Sequence, residues 1–406
     1  NVIWVTDGTP GGTHPAASVD VRTGSGGLLT ASSLGAFFSG NTPGNGWQIF
    51  RTDGPEVSSH ALTSVAQGVT NIIGLVDGQP TFVQASQPGS ASVWRVQDAS
   101  GAVTELTNVP NYAEFAVTDH VGFAISTLSS PDNARQVESF RADAAPPTIL
   151  PVPPPSTYWY YPHHMGSGSK LACAETYTQY VSQNSVQELY CSDGTVAGTH
   201  RPVPPALGTG VQLWDFTEYS RIGDRLLFYA PASPTLQPGL WVTDGTDEGT
   251  FPLLALVESD VQGWMPCSGD QSGGVYFLGS PYENPDNSSF LWYTDGTASG
   301  TYQVKRMGSG QYSCAVLGTT TGIHGTAYLQ IGTTLYRSDG TSVGTFPVAG
   351  APTLQTFSYT KSWQGIASIG RWLVFFAPIS TTELGIWRLD LDPIFSDGFD
   401  SWLTPA

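Results

Sequence analysis

Short apolar runs, separated by polar turns rich in glycine, aspartate and threonine, recur along the whole chain. Residues 226–230, 275–278 and 372–376 are examples. Runs of this length, bounded by turn residues, are typical of β-strands. No window shows the i, i+3, i+4, i+7 apolar spacing of an amphipathic helix. The pattern therefore predicts an all-β protein built from antiparallel hairpins.

One hairpin unit repeats. An aromatic residue is followed by two residues, Asp-Gly-Thr, two further residues and Gly-Thr. The aspartate can accept hydrogen bonds from the backbone amides that follow it, and glycine allows a positive φ. We therefore expect a structural turn between two strands. Full copies begin at Trp4, Tyr190, Trp241, Trp292 and Tyr336, and degenerate copies begin at Phe50, Trp94, Phe140 and Trp387.

These aromatic positions lie 44 to 51 residues apart, even where the motif has decayed, as where Gln97 stands in place of the aspartate. Each period has room for four antiparallel strands, which is the size of a β-propeller blade. We predict a closed β-propeller of eight four-stranded blades, with seven blades as the alternative. Residues 1–393 would form this single domain, and residues 394–406 a short tail. The blades are expected at residues 20–65, 66–110, 111–153, 154–205, 206–257, 258–306, 307–350 and 351–390.

The two ends of the chain should close the ring. The N-terminal residues 2–6 and 13–19 have the pattern of a third and a fourth strand, and the C-terminal blade supplies a first, second and third. We expect residues 13–19 to pair with the C-terminal strand. Residues 2–6 would then lie at the edge of the last blade or be displaced from it, and an unpaired strand of this kind can also pair with another chain.

Charge and hydropathy exclude several partners. The formal net charge is −18, with 15 Lys and Arg against 33 Asp and Glu. Nucleic-acid binding without sequence preference needs the opposite balance, so no nucleic-acid partner is expected. No run of 18 apolar residues occurs, so we expect no membrane insertion.

The four cysteines fall in two pairs. Cys173 and Cys191 lie on the second and third strands of the fourth blade, which are within disulfide reach. Cys267 and Cys314 lie on the first strands of two consecutive blades, which converge near the axis. We predict the disulfides Cys173–Cys191 and Cys267–Cys314, and hence an oxidising compartment. A metal site at these cysteines is not expected, because no Cys-x-x-Cys or histidine pair accompanies them.

Residues 188–199, Glu-Leu-Tyr-Cys-Ser-Asp-Gly-Thr-Val-Ala-Gly-Thr, resemble a repeat of large secreted or surface proteins of bacteria. That repeat, Glu-Leu-Trp-x-Ser-Asp-Gly-Thr-x-x-Gly-Thr, is described as hyalin-like. Residues 394–400 also resemble a C-terminal signature of exported proteins from Gram-negative bacteria. The resemblance implies a propeller-like fold and export to the cell surface or medium, and it supplies no catalytic residues. Because the chain begins at Asn1 in the middle of a repeat unit, we interpret it as a processed or incomplete form of an exported precursor.

Ligands of propellers usually bind at one end of the central channel, near the starts of the first strands. Those positions carry aromatic residues here, with carboxylates and a histidine beside them, and flat aromatic faces suit stacking on sugar rings. The alternative is that the rings fill the axis or pack between blades. The candidate ligand-binding residues are Tyr158, Trp159, Tyr160, His163, Trp214, Asp215, Glu218, Trp264, Tyr312, Tyr359 and Trp363.

Catalysis has candidates but no recognisable constellation, so no catalytic residue is assigned. Asp215 and Glu218 would suit a glycosidase if their carboxyl groups stood about 5–10 Å apart. His163 or His164 with Tyr160 would suit a lyase. The turn aspartates could hold Ca²⁺ together with neighbouring loops, and no other cofactor is expected.

Three hypotheses of function follow. The first is a secreted propeller that binds or scaffolds, recognising glycans or a surface partner. The second is a secreted hydrolase or lyase acting on polysaccharide. The third is a structural subunit of an extracellular assembly, joined through the N-terminal strand.

Overall fold

The protein is described by a computed structural model that divides into two compact units. Unit 1 contains residues 1–3 and 15–252, and unit 2 contains residues 4–14 and 253–406. The structure describes residues 4–5, 14–15, 20–21, 30–42, 46–52, 60–62, 70–87, 89–98, 100–110, 112–127, 135–151, 162–181, 184–202, 220–230, 237–256, 264–267, 274–281, 288–309, 314–319, 326–349, 351, 353, 366–369, 372–378 and 384–390.

All secondary structure in these residues is β. An N-terminal hairpin pairs β1 (Trp4–Val5) with β2 (His14–Pro15). The remaining strands form eight sheets, numbered here in chain order. Sheet 1 contains β3 (Asp20–Val21), β4 (Thr30–Ser32), β5 (Gly35–Thr42), β6 (Gly46–Thr52) and β7 (His60–Ala61). Sheet 2 contains β8 (Thr70–Val76), β9 (Gln79–Gln87), β10 (Ser90–Val96) and β11 (Val103–Pro110). Sheet 3 contains β12 (Tyr112–Val117), β13 (Val121–Thr127), β14 (Arg135–Arg141) and β15 (Thr148–Ile149).

The later sheets follow the same order. Sheet 4 contains β16 (Pro162–Ser167), β17 (Ala172–Val181) and β18 (Asn184–Ser192). Sheet 5 contains β19 (Ser220–Ile222), β20 (Arg225–Ala230), β21 (Gly239–Thr243) and β22 (Phe251–Ala255). Sheet 6 contains β23 (Trp264–Pro266), β24 (Val275–Gly279), β25 (Ser288–Thr294) and β26 (Tyr302–Ser309). Sheet 7 contains β27 (Cys314–Thr319), β28 (Ala327–Ile331), β29 (Thr334–Ser338) and β30 (Phe346–Pro347). Sheet 8 contains β31 (Ile366–Ile369), β32 (Trp372–Pro378) and β33 (Leu384–Asp390).

The sheets pack face to face, so the core is divided into clusters between consecutive sheets. Leu226, Phe228 and Trp241 of sheet 5, for example, pack against Leu171 and Leu189 of sheet 4. Similar clusters join sheets 1 and 2, 2 and 3, 3 and 4, and 6 and 7. Because inner strands are covered on both faces, their sequences are mostly apolar, and every residue of β21, β24 and β28 is buried.

First strands of consecutive sheets are neighbours. In unit 1, β8 contacts β12, β12 contacts β16, and β16 contacts β19; in unit 2, β23 contacts β27, and β27 contacts β31. At the opposite edge, the outer strands β7, β15 and β30 have two residues each, and β30 contains Pro347. Proline has no backbone N–H to donate, so a short strand that contains it is a poor template for pairing with a further strand.

Both predicted disulfides are confirmed. Cys173 and Cys191 are directly paired residues of β17 and β18, with Cα atoms 4.0 Å apart. Cys267 follows β23 and bonds to Cys314 at the start of β27, with Cα atoms 4.5 Å apart, so this bond joins two consecutive sheets. Each disulfide belongs to an apolar cluster between sheets.

The predicted antiparallel pattern is also confirmed, and the sheets coincide closely with the predicted blades. The number of strands departs from the predicted four in three sheets: within the described residues, sheets 4 and 8 have three strands and sheet 1 has five. In the described part of the chain β2 pairs with β1, and no pairing joins it to β33. Residues 13 and 16–19 lie outside the described residues, so ring closure through them stays a prediction, as does the single domain over residues 1–393 with a tail at 394–406.

Candidate functional site

The antiparallel order gives each sheet two different ends. The connections between first and second strands, and between third and fourth strands, lie at one end, here called the turn end. The starts of the first strands and the connections between second and third strands lie at the other, here called the loop end. Turn-end connections are short, as at residues 77–78 and 223–224. Residues 203–219, which precede β19 in the sequence, lie outside the described residues.

The Asp-Gly-Thr turns at the turn end are closed hydrogen-bond networks. In the copy at Asp244, its Oδ1 accepts from the backbone N and the Oγ1 of Thr246, at 2.9 and 2.7 Å. The Thr246 hydroxyl accepts in turn from the Gly249 amide, at 2.9 Å. Thr250 Oγ1 donates to the Thr246 carbonyl, at 2.6 Å. The same bonds recur at Asp193, Asp295 and Asp339.

A further member of this network was missed by the sequence analysis. The hydroxyl residue before the aspartate, Thr243 in this copy, accepts from the Gly245 amide at 2.9 Å and bonds to Thr250 Oγ1 at 2.7 Å. A serine or threonine occupies this position in every full copy, which is the signal that could have revealed it. The corresponding residues are Thr6, Ser192, Thr294 and Ser338.

The two glycines of the motif are required for different reasons. Gly245 has a φ of +88°, a conformation that favours glycine. Gly249 instead lies under the Asp244 carboxylate, and a Cβ atom there would stand 1.8 Å from Asp244 Oδ1. The spacing of the motif is therefore set by one backbone angle and one close contact.

Several of these turns also contact the sheet before them. A Cβ on Gly194 of sheet 4 would stand 2.6 Å from Val121 of sheet 3, and Ser139 of sheet 3 donates its hydroxyl to the Gly194 carbonyl at 2.7 Å. In unit 2, the hydroxyls of Tyr302 and Tyr276 in sheet 6 approach Gly340 of sheet 7. The glycines and hydroxyl residues of the motif therefore have structural roles, within the turn and in the contact between sheets.

Two degenerate copies keep part of the network. Gln97 occupies the position of the aspartate, as predicted, and its backbone amide donates to the Ala102 carbonyl as the Asp244 amide does to Gly249. The side-chain bonds shift by one residue, because Asp98 accepts from Ser100 N and Oγ, at 2.8 and 2.5 Å. The Ser100 bonds hold the pKa of Asp98 below its usual value. Asp143 accepts from Ala145 N at 3.1 Å, with Ala144 at a φ of +55° where the full motif has glycine.

The other turns of unit 1 form a ladder from sheet 2 to sheet 5. The Asp77 amide donates to the Asp119 carbonyl at 2.6 Å, and the Asp119 amide donates to the Ser169 carbonyl at 2.9 Å. The Ser169 amide donates to the Gly223 carbonyl at 3.4 Å. The first-strand turns of these four sheets are thus connected by their own backbones.

Exposed ion pairs lie over this ladder. His120 Nδ1 contacts Asp77 Oδ1 at 2.7 Å, and Arg221 Nη2 donates to Asp119 Oδ1 at 2.9 Å. Asp224 accepts from Lys170 and Ser169 across sheets 4 and 5, and these bonds lower its pKa. Sequence reasoning did not find these pairs, because their members are far apart in the chain. These polar side chains are bonded to one another across neighbouring sheets, which is typical of a structural contact rather than a ligand site.

Most of the predicted site residues lie outside the described part of the chain. Only the backbones of His163 and Trp264 are described, both at the beginning of a first strand. His163 pairs with Glu175, and a register shift follows it before Met165. Trp264 pairs with Gly279. The predicted residues that lie outside the described part are Tyr158, Trp159, Tyr160, Trp214, Asp215, Glu218, Tyr312, Tyr359 and Trp363.

Polar side chains at the loop end of sheet 6 form hydrogen bonds between the ends of its strands β24, β25 and β26, next to the connection formed by residues 282–287. Arg306 donates from Nε and Nη2 to Ser288 Oγ, at 3.1 and 2.7 Å. Ser280 Oγ donates to the Ser288 carbonyl at 2.8 Å. Among the described residues, no three metal-ligating side chains come together, and no helix is long and apolar enough to span a membrane.

Comparison with known proteins gives a likeness in fold. Neither the family models nor the curated protein sequences include a match to this chain. Dipeptidyl peptidase 4 of Porphyromonas gingivalis is similar over 91% of this chain and 58% of its own, at 9% identity and a TM-score of 0.52. The β-propeller domain of the Trilobed protease from Pyrococcus furiosus is similar over 80% of this chain and 98% of its own, at 10% identity and a TM-score of 0.40.

An oligogalacturonate lyase in complex with manganese is similar over 91% of this chain and 98% of its own, at 11% identity and a TM-score of 0.41. At such identities a likeness concerns the fold and not the activity. Repeated sheets of antiparallel strands, with first strands side by side, agree with it. The chain is an all-β protein of the β-propeller type.

Proposed function

We propose that this protein is an exported β-propeller of eight blades, closed by its N-terminal segment, that binds a glycan or a surface partner at the loop end. The contrast between the two ends supports the proposal most directly. At the turn end the polar groups of the repeated turns are bonded to each other or to the neighbouring sheet. In the sequence, the aromatic residues of the candidate site stand close to the starts of first strands, and we assign them to the loop end on that ground.

Two observations support export. Both disulfides are buried within clusters between sheets, and bonds of this kind persist in oxidising compartments. The resemblance of residues 188–199 to repeats of secreted and surface proteins of bacteria agrees with the same compartment. Under this proposal the net charge of −18 keeps the exported protein soluble.

A glycan array, with and without Ca²⁺, tests the proposed site. The double variant Trp214→Ala, Trp264→Ala removes two aromatic side chains of the candidate site. The control is Phe346→Ala, which removes an aromatic residue from an outer strand, where it is 43% exposed. Circular dichroism and the thermal midpoint establish that each variant folds.

We expect the wild type and Phe346→Ala to bind the same glycans, and the double variant to bind at least about tenfold more weakly, since stacking on a sugar contributes on the order of 1 kcal/mol per ring. Equal binding by all three proteins would place the site elsewhere. Binding to no glycan would remove the glycan part of the proposal and leave a protein partner. Products released from a polysaccharide panel would overturn the assignment as a binding protein.

A further inference from the structure

Glu138 is a carboxyl group placed in an apolar interface. It lies in the middle of β14 and is 5% exposed. Its pairing partner on β13 is Ala124. Side chains alternate along a strand, so Glu138 shares its face with Phe140. Ala124 and Phe140 belong to the cluster between sheets 2 and 3, which otherwise contains Val83, Ala91, Val93, Leu106 and Val109.

Within the described residues this carboxyl group has no complete set of partners. Glu138 Oε1 is buried and has no hydrogen bond there. On the paired strand, Ser126 lies on the same face as Ala124, is fully buried, and its Oγ also has no partner in the described part of the chain. Two polar atoms are therefore enclosed among apolar side chains, where an ionised carboxylate is costly.

Charged groups near β14 do not compensate for this burial. Strands β13 and β15, which pair with β14, carry no charged residue. The titratable and charged residues on the strands packed against this region, and on β14 itself, are Arg95 of β10, Glu105 of β11, His163 and His164 of β16, and Arg135 and Arg141. Burial raises the pKa of Glu138 and is its sole resolved cause.

We propose that Glu138 makes the contact between sheets 2 and 3 sensitive to pH. With a neutral carboxyl group the interface stays closed, and with an ionised carboxylate the two sheets are held less tightly. The folded-state pKa lies above the unfolded value, so the stabilising contribution is fully present below the unfolded pKa. It is lost as pH rises through the folded pKa. Sheets 2 and 3 are therefore held most firmly in acid.

The test compares the wild type with Glu138→Gln across the range from about pH 4 to about pH 8. Glutamine keeps the shape and cannot ionise. The control is Glu248→Gln, an exposed glutamate in the turn of sheet 5. We measure the denaturant midpoint and the hydrogen exchange of β11 and β14 amides, with rates corrected for the intrinsic effect of pH.

We expect the midpoint of Glu138→Gln to exceed that of the wild type at the upper end of the range and to approach it at the lower end. The ratio of wild-type to variant exchange in β11 and β14 should rise with pH, and Glu248→Gln should follow the wild type. Parallel curves for wild type and Glu138→Gln would overturn the proposal. A variant less stable than wild type throughout would also overturn it, because the carboxylate would then have a stabilising partner.

Should Glu138→Gln fail to fold, Glu138→Leu provides the second variant, since it fills the site with an apolar side chain. We expect its midpoint to exceed that of the wild type at the upper end of the pH range. A lower midpoint there would overturn the proposal equally well.

Discussion

Replacing Gly249 by alanine tests the explanation of the repeated turn. The added Cβ would stand 1.8, 2.0 and 2.1 Å from Oδ1, Cγ and Oδ2 of Asp244. No van der Waals contact is so short, so the carboxylate must turn away. It then loses its bonds from the amide and hydroxyl of Thr246. Hydrogen bonds to charged groups contribute about 1.5–3 kcal/mol each, and partial exposure favours the lower value, so we expect a loss of about 3 kcal/mol.

Gly223→Ala is the matched control. Gly223 lies in a turn of the same sheet at a φ of +56°, and nothing lies within 4 Å of its added Cβ. A left-handed backbone costs a residue with a Cβ about 1 kcal/mol. Denaturant unfolding measures the loss of unfolding free energy in each variant. The loss in Gly249→Ala reports the steric clash, and the loss in Gly223→Ala reports the backbone conformation alone. Equal losses would refute the steric explanation.

A double-mutant cycle makes the refutation sharper. If Gly249→Ala lowers the free energy of unfolding by displacing the Asp244 carboxylate, the same substitution in the Asp244→Ala background should lower it by less than about 1 kcal/mol. Strictly additive losses would mean that Gly249 acts through something other than the Asp244 carboxylate.

Two further predictions follow from other turns. Ala144 has a φ of +55° at the position where the full motif has glycine, a conformation that is strained for alanine. Ala144→Gly should therefore raise the free energy of unfolding by about 0.5–1 kcal/mol in denaturant titration. An unchanged free energy would contradict the explanation by backbone strain. Bonds from Thr341 lower the pKa of Asp339, so its contribution is present above the ordinary value of 3.8 and lost as pH falls through the folded pKa. Asp339→Asn should therefore flatten the acid limb of the stability profile, and an unchanged slope would count against this origin.

Most of the correct predictions about the fold followed from the period of the repeat. Spacing of the aromatic residues located the sheets, and cysteine positions located both disulfides, because strand neighbours are set by the order of hairpins. The sequence contains no local signal for the ion pair between Asp119 and Arg221, because these residues are far apart in the chain and meet only when the sheets stack.

The candidate site was less predictable for a physical reason. Strand positions follow from a period that every repeat reinforces, whereas each loop-end connection has its own length and sequence. The burial of Glu138 could not be deduced either, since it depends on which face of β14 meets sheet 2. The hydroxyl before each aspartate was visible in the sequence and needed only the comparison of all copies.

The ladder of turns in unit 1 has a direction. Asp77 donates to Asp119, Asp119 to Ser169, and Ser169 to Gly223, so each amide depends on a sheet that follows it in the chain. Meanwhile Gly194 and Gly245 rest on the sheets that precede them. On the ribosome, each newly emerged sheet would therefore find a packing surface already made and leave one amide waiting for its successor. Sheets 2 to 5 would therefore be added one after another, in the order of the chain.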